Sequence, residues 1–298
     1  MNYFTLSRYL KTKFGCKVSK VAVDAGFTCP NRDGTKGEGG CIYCDNSSFV
    51  FTTGDDIKEQ VRNGIDRLLK KGIERFIIYL QSYSNTYCSD ETFFRVLDDV
   101  LIDERIVGIH IGTRPDVIND NKLKRLSELT NRYDIFMEYG LQSAHNETLK
   151  FINRGHTYED FLEAVDKTVE YGLKITVHLI FGLPYEDNNM MMETVKRVSK
   201  LPIHSVKFHH LHIVKGTKLS EIFFNNPFHI LTEDEYIKIV ADALTYFKND
   251  IIVARLVGDA PRDMVIEPKW PLSKNLFLSK LNDYMLENNL YQGKNFNR

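Results

Sequence analysis

Three of the five cysteines lie in one glycine-rich segment, which reads Cys29-Pro-Asn-Arg-Asp-Gly-Thr-Lys-Gly-Glu-Gly-Gly-Cys41-Ile-Tyr-Cys44. Two residues separate Cys41 from Cys44, and this spacing lets two thiolates reach one metal centre through a tight turn. The intervening glycines adopt backbone conformations that other residues avoid, so the longer segment can fold back and bring Cys29 to the same place. The pattern predicts a metal centre held by Cys29, Cys41 and Cys44.

Two kinds of metal centre compete for these ligands. A structural zinc site generally has four ligands, often from two Cys-x-x-Cys pairs, and the sequence offers no second pair. An iron–sulfur cluster usually takes four cysteines as well, so three would leave one iron open for chemistry. The iron–sulfur interpretation is therefore favoured and zinc remains the alternative. Cys16 and Cys88 do not have the spacing to complete either set and are interpreted as free thiols.

Composition excludes several classes of protein. The 298 residues include 39 Lys and Arg and 40 Asp and Glu, which gives a formal net charge of −1. This balance excludes a globally basic nucleic-acid binder. No apolar run approaches the roughly 18 residues of a membrane span, and the N-terminus lacks the apolar core of a signal peptide. We expect a cytoplasmic protein in a reducing compartment, with cysteines used for metal or redox chemistry and with no membrane partner.

The two ends of the sequence are locally basic. The first 20 residues carry five basic side chains and no acidic one, and residues 269–298 carry five basic and two acidic side chains. Together they would form a patch for an anionic partner, whereas ordinary solvated surface is the simpler reading.

Strand-like apolar runs alternate with helical patterns along most of the chain. Strands separated by helices of this length must be parallel, and the crossovers are right-handed. We therefore predict an α/β fold: a partial (β/α)6 barrel over residues 1–250, with an α-rich extension over residues 251–298 that covers the substrate side. A doubly wound sheet is the alternative, and either topology places the chemistry at the C-terminal ends of the strands. The six predicted strands are Val18–Val23, Arg75–Leu80, Ile106–Ile111, Ile135–Tyr139, Lys174–Phe181 and Ser205–Val214.

The cysteine segment occurs together with four further motifs: GTRPD (112–116), YGLQSAHNETLKFINRGHT (139–157), GLPYED (182–187) and HLHIVKGT (210–217). With these motifs the sequence resembles the radical S-adenosylmethionine (SAM) superfamily. The long first cysteine gap resembles its YhcC/YtqA-like (MnmL-like) branch, which is related to the radical SAM domain of the Elongator catalytic subunit. The resemblance implies a [4Fe–4S] cluster on the three cysteines, with SAM as ligand of the fourth iron.

The resemblance also implies which residues bind SAM. Arg154 matches the residue that holds the SAM carboxylate, a role that suits the bidentate guanidinium. Gln142 matches a ribose-binding position, and Gly182 and Pro184 match the turn that supports the adenine. Many relatives have a Gly-Gly pair after the second strand, where this sequence has Leu80-Gln-Ser-Tyr-Ser-Asn-Thr86. The remaining expected contacts with SAM are Gln81, Ser82 and Arg114.

For function, the resemblance implies modification of the tRNA wobble uridine, converting a 5-carboxymethylaminomethyl group to 5-aminomethyl. Its partners would be tRNA and a one-electron donor such as flavodoxin or ferredoxin. Two alternatives stay open: a radical SAM oxidoreductase acting on a small molecule such as a porphyrin precursor, and a zinc-bearing RNA-binding module without catalysis.

Substrate contacts are expected from the last strand and from the extension. Alternation along a strand predicts that His210 and His212 share one face, with His209 opposite. Further candidates in the extension are Arg255, Asp259 and Arg262.

Overall fold

Seven parallel strands form the central sheet of the computed structural model, which describes residues 2–44, 56–258, 260–261, 263–270 and 273–296. Their spatial order is β1-β2-β3-β4-β5-β6-β8, and within the described ranges β1 and β8 are the two edges of an incomplete barrel. A separate antiparallel pair consists of β7 and β9. The strands are β1 (Val18–Val23), β2 (Arg75–Leu80), β3 (Ile106–Thr113), β4 (Asp134–Gln142), β5 (Lys174–Phe181), β6 (Ser205–His210), β7 (Ile213–Val214), β8 (Ile252–Arg255) and β9 (Val265–Glu267).

Helices connect the strands and cover the outer face of the sheet. Two of them, α6 (Tyr158–Glu170) and α9 (Glu233–Thr245), begin with a capping box. In a capping box, the threonine side chain and the acidic residue three positions later each accept a hydrogen bond from the other's backbone amide. The helices are α1 (Leu6–Phe14), α2 (Ile57–Leu69), α3 (Asp90–Val100), α4 (Asp120–Glu128), α5 (Asn146–Phe151), α6 (Tyr158–Glu170), α7 (Asn188–Ser199), α8 (Lys218–Asn225), α9 (Glu233–Thr245) and α10 (Lys274–Glu287).

The predicted α/β partial barrel is confirmed, with one more strand than expected. The strand order runs along the sequence without the reversal that defines a doubly wound sheet, so that alternative is wrong. The last predicted strand ends at His210 and not at Val214, because the chain leaves the sheet there and forms β7. The division at residue 250 stays a prediction; β8 lies beyond it and pairs with β6. The apolar pattern also predicts a helix over Asp55–Lys71, and Asp55 lies outside the described residues.

The two faces of the sheet differ in chemistry. On the outer face, apolar side chains pack against the helices, and the contact is close enough that a Cβ on Gly64 of α2 would lie 2.4 Å from Val21 Cγ1. On the inner face, polar and charged side chains recur at every second position of several strands, as the strand period requires. The interior of the barrel is therefore a polar cavity rather than a packed apolar core.

Helix α1 closes the end of the barrel at which the strands begin. The Tyr9 hydroxyl donates to Asp134 Oδ2 at 2.8 Å, and Lys13 Nζ lies 2.6 Å from Asp134 Oδ1. Lys174, the first residue of β5, reaches the same oxygen at 2.5 Å. Asp134 begins β4, so these contacts fix α1 at the N-terminal edge of the sheet, opposite the predicted site. Among the described residues, none of the helices is long and apolar enough to cross a membrane.

Candidate functional site

The cysteine segment follows β1 and lies over the C-terminal edge of the sheet. Cys29, Cys41 and Cys44 all border one cavity of about 290 Å³, which is also lined by residues from the ends of β2 to β6 and of β8. Cys41 is buried, whereas Cys29 and Cys44 are partly exposed. The backbone amide of Cys44 donates to the Cys41 carbonyl at 2.9 Å, which is the tight turn expected of a two-residue spacing.

Contacts with the segment after α5 hold this loop in place. The buried Asn31 donates to the Asn153 carbonyl at 2.6 Å, and Asn153 in turn donates from its side chain to the Gly40 carbonyl at 2.8 Å. Gly40 has a φ of 81°, in the left-handed region that favours glycine. At Gly155 a Cβ would lie only 2.2 Å from Asn31 Oδ1, so a glycine leaves the room that the Asn31 side chain occupies.

Two buried arginines contact the sulfur atoms. Arg154 Nη1 lies 3.5 Å from Cys41 Sγ, and Arg114 Nη1 lies 3.9 Å from Cys29 Sγ. Arg114 is otherwise occupied, because it donates to both oxygens of Asp116 at 2.9 and 2.8 Å and to the Arg154 carbonyl at 2.7 Å. Arg154 also donates to the Gly140 carbonyl through Nε and Nη2. These cations partly offset the negative charge that thiolates bring to a buried site.

The sulfur ligands fit an iron–sulfur cluster better than a single metal ion. A structural zinc ion generally takes four ligands, whereas this loop supplies three cysteines. A cluster instead gives each cysteine its own iron, and all-sulfur ligation by cysteines in one cavity is what it needs. Burial, followed by the neighbouring Cys41, raises the pKa of the Cys44 thiol to about 11, so binding iron there must displace a proton.

The structure brings most of the predicted SAM residues to this cavity. Gln81, Ser82, Arg114, Gln142 and Arg154 border it together with the three cysteines. Gln142 has a φ of 77°, an uncommon conformation for a residue other than glycine. Gly182 and Pro184 do not line this cavity in the described structure. All seven roles stay predictions.

A buried set of polar residues at the inner end of the cavity was not singled out from the sequence. We call it the interior cluster, and its centre is the fully buried Glu138 carboxylate. Oε1 of Glu138 lies 2.7 Å from His110 Nδ1 and 3.2 Å from Lys20 Nζ. Oε2 lies 2.9 Å from His178 Nε2 and accepts a short hydrogen bond from Lys207. The interior cluster consists of Lys20, Tyr79, His110, Glu138, His178 and Lys207.

Burial and mutual charge set the protonation of the interior cluster. Burial raises the pKa of Glu138, but the neighbouring lysines and histidines outweigh it and hold that pKa well below its usual range. Burial, with Lys20 adding to it, lowers the pKa of His110 to about 4; burial together with Lys207 does the same for His178. At neutral pH both histidines are therefore uncharged and Glu138 is ionised.

The three histidines at the end of β6 are arranged differently from the prediction. His209 and His210 point to opposite faces, as expected, but His212 lies beyond the strand, so the period of two no longer relates it to His210. The His210 ring contacts Trp270 and His212, each with a ring-centroid distance of 4.0 Å. His209 lies beside His178, with ring centroids 5.7 Å apart.

All three histidines and Arg255 border the cavity. Of the other substrate candidates, Asp259 and Arg262 lie outside the described residues. The substrate roles of His210, His212 and Arg255 stay predictions.

The sequence did carry a signal for the interior cluster. Each member lies at an inward position of one of six neighbouring strands, as with Tyr79 in RFIIYL and His110 in IVGIHIGT. One polar residue in a strand is uninformative by itself. Six of them on the inner faces of six neighbouring parallel strands indicate a polar interior.

Two family descriptions match most of the chain. Residues 29–198 match the Radical SAM superfamily, and residues 203–287 match the Radical SAM C-terminal domain. The chain belongs to the radical SAM superfamily. This confirms the resemblance inferred from the motifs, and the cofactors of a radical SAM enzyme are a [4Fe–4S] cluster and SAM.

Three individual proteins are similar to this radical SAM enzyme. It is 37% identical to YtqA of Bacillus subtilis over 300 residues, which covers 99% of this chain and 93% of that protein. It is 28% identical over 168 residues to a tRNA uridine(34) acetyltransferase of Methanocaldococcus jannaschii, covering 55% of this chain and 30% of the relative. Its fold is similar to that of the archaeal Elp3 of Methanocaldococcus infernus, with a TM-score of 0.71 at 22% identity, covering 92% of this chain and 64% of that one.

Proposed function

We propose that this radical SAM enzyme modifies the wobble uridine of tRNA, converting a 5-carboxymethylaminomethyl group to a 5-aminomethyl group. The observation that carries the proposal is the similarity to an enzyme named for uridine 34 of tRNA. The alignment covers 55% of this chain, so the similarity supports a shared class of substrate rather than an identical reaction. Cytoplasmic localisation and a one-electron donor such as flavodoxin or ferredoxin belong to the same proposal.

The cavity supports this chemistry because its two ends differ. When bound, the cluster and SAM would supply the 5′-deoxyadenosyl radical chemistry that breaks a substrate C–H bond. Cys29, Cys41 and Cys44 would hold the cluster, and Arg154 and Gln142 would orient SAM beside it. The interior cluster and Arg255 remain for the substrate at the opposite end. A substrate held between the two ends would have its target C–H bond fixed in place beside SAM.

Mass spectrometry of tRNA nucleosides tests the proposal directly. In cells that lack the protein, we expect 5-carboxymethylaminomethyluridine to accumulate at the wobble position and the 5-aminomethyl product to disappear. Restoring the wild-type gene should reverse both changes, and a Cys44→Ala gene should not. Unchanged wobble uridines would contradict the tRNA proposal and favour a small-molecule substrate, such as a porphyrin precursor.

A further inference from the structure

The inner end of the cavity contains more positive than negative charge. Lys20 and Lys207 contact the single carboxylate of Glu138 and lower its pKa, and Arg255 in turn lowers the pKa of both lysines. Both oxygens of Glu138 are already used, two contacts on each, by the lysines and histidines of the interior cluster. Glu138 therefore has no remaining acceptor capacity for another cation.

Of these three cations, Arg255 is the one that does not pair with Glu138. It is the last residue of β8 and aligns with Lys207 of β6, so it faces the interior beside the cluster. Its guanidinium makes no hydrogen bond or ion pair with any residue in the described ranges. A guanidinium carries five donors in a fixed planar arrangement, and a half-buried one without an acceptor is costly unless a ligand supplies it.

His209 provides a second polar group without a partner at the same place. Its Nε2 is buried and has no hydrogen-bond partner among the described residues. Burial, and after it the charge of Arg255, holds the pKa of His209 well below its usual range, so the ring is neutral. A neutral ring carries one N–H, and buried polar atoms of this kind nearly always have a partner in the functional state.

We propose that Arg255 and His209, with Lys207 behind them, form a subsite for a carboxylate group of the substrate. A carboxylate would use the bidentate geometry of the guanidinium, give Nε2 of His209 an acceptor and balance the surplus positive charge. The inference rests on the proposed function, because the 5-carboxymethylaminomethyl group of the wobble uridine ends in such a carboxylate. Holding it at the inner end directs the adjacent C–H bonds towards the cysteine end of the cavity.

This subsite is separate from the place where SAM binds. The sulfur atoms lie against Arg114 and Arg154, near the ends of β3 and β4. Arg255 and His209 belong to β8 and β6, at the other side of the half-barrel. A carboxylate at Arg255 is therefore the substrate's own and not that of SAM.

The first test compares an acid substrate with its amide. An anticodon stem-loop RNA carrying 5-carboxymethylaminomethyluridine is offered to the reconstituted holoenzyme, in parallel with the same RNA whose carboxylate is a carboxamide. Arg255→Gln should raise KM for the acid about 10- to 100-fold, which corresponds to one lost charged hydrogen bond, and should change KM for the amide little. His209→Phe should act in the same direction, and His209→Gln, which keeps a donor, should recover part of the loss.

Arg62→Gln is the matched control, because Arg62 is an exposed arginine on α2. Wild-type enzyme that accepts acid and amide equally well would overturn the subsite while supporting the tRNA proposal. An equal loss for acid and amide in Arg255→Gln would also overturn it.

A second measurement does not depend on RNA. In saturation-transfer NMR with SAM-loaded holoenzyme, N-methylglycine should give a signal with the wild type and lose it with Arg255→Gln, and N-methylglycinamide should give little signal with either. Absence of any N-methylglycine signal with the wild type would overturn the subsite. If that signal is present but no wobble uridine is converted, the subsite stands and the tRNA proposal fails.

Discussion

Cys41 is both an expected ligand of the cluster and a buried residue of the fold. It is the most buried of the three cysteines, and its sulfur contacts Arg154. We expect Cys41→Ala to reduce iron and acid-labile sulfide in anaerobically reconstituted protein to background and to abolish SAM cleavage, because two cysteines cannot hold the cluster. Iron and sulfide assays and the visible absorbance of the cluster measure this.

Cys16→Ala is the control for that prediction. Cys16 is also partly buried but lies between α1 and β1, away from the cavity, so its removal should leave iron content and SAM cleavage unchanged. Full iron content in Cys41→Ala would show that Cys41 is not a ligand.

The cysteine segment could be found from the sequence because its information is local. A two-residue cysteine spacing and the glycines around it restrict the backbone within a few residues, so type and spacing suffice. The Glu138 centre was not predictable in the same way. Its partners Lys20 and Lys207 come from strands more than a hundred and about seventy residues away along the chain, and only the sheet order brings them together.

At the scale of elements, the six long strands were predictable, and α1 and β8 were not. Regular alternation of apolar runs and helices identifies βα units. Strand β8 has four residues, too few for a periodic signal. The short α1 owes its position to contacts with Asp134 and Lys174, which are distant in sequence. Tertiary contacts of this kind stabilise an element whose own sequence gives a weak signal.

Asp134 joins three elements, and its substitution tests how α1 is held. Asp134→Asn should lower the free energy of unfolding at pH 7 by about 1.5–3 kcal/mol, the usual value of charged hydrogen bonds. Burial raises the pKa of Asp134, but Lys13 and Lys174 outweigh it and the pKa is lowered overall. The stabilisation is therefore complete above the unfolded-state value of 3.8 and is lost as the pH falls below it. Denaturant titrations between pH 7 and pH 3 should show the difference from wild type shrinking.

Asp98→Asn is the matched control, since its side chain is 71% exposed and its contact with Arg125 is long, at 3.5 Å. It should change the unfolding free energy by less than about 0.5 kcal/mol at every pH. A difference between Asp134→Asn and wild type that stays constant down to pH 3 would mean that the ionised carboxylate is not what holds α1.

At the scale of the whole molecule, the sequence located two basic ends but not the side of the barrel on which each lies. Of the five N-terminal cations, Lys13 pairs with Asp134 and Lys20 with Glu138, so neither is available to a partner. Arg8 and Lys11 lie on α1, which closes the end of the barrel opposite the cavity.

The exposed Lys215 and Lys269 follow β7 and β9, and Lys269 borders a second cavity that shares His210 and His212 with the first. We therefore expect an RNA whose wobble base enters the cavity to contact Lys215 and Lys269 and not Arg8 and Lys11.

Salt dependence of RNA binding distinguishes the two pairs. For an anticodon stem-loop, each phosphate contact that is removed should reduce the slope of log K against log salt concentration by roughly 0.7–0.9. Replacing Lys215 and Lys269 by Gln should therefore reduce the slope by up to twice that amount, whereas replacing Arg8 and Lys11 by Gln should leave it unchanged. Fluorescence anisotropy over a series of salt concentrations measures both. A reduced slope for the Arg8 and Lys11 variant alone would mean that the RNA binds across the closed end of the barrel, where its wobble base has no path to the cysteines.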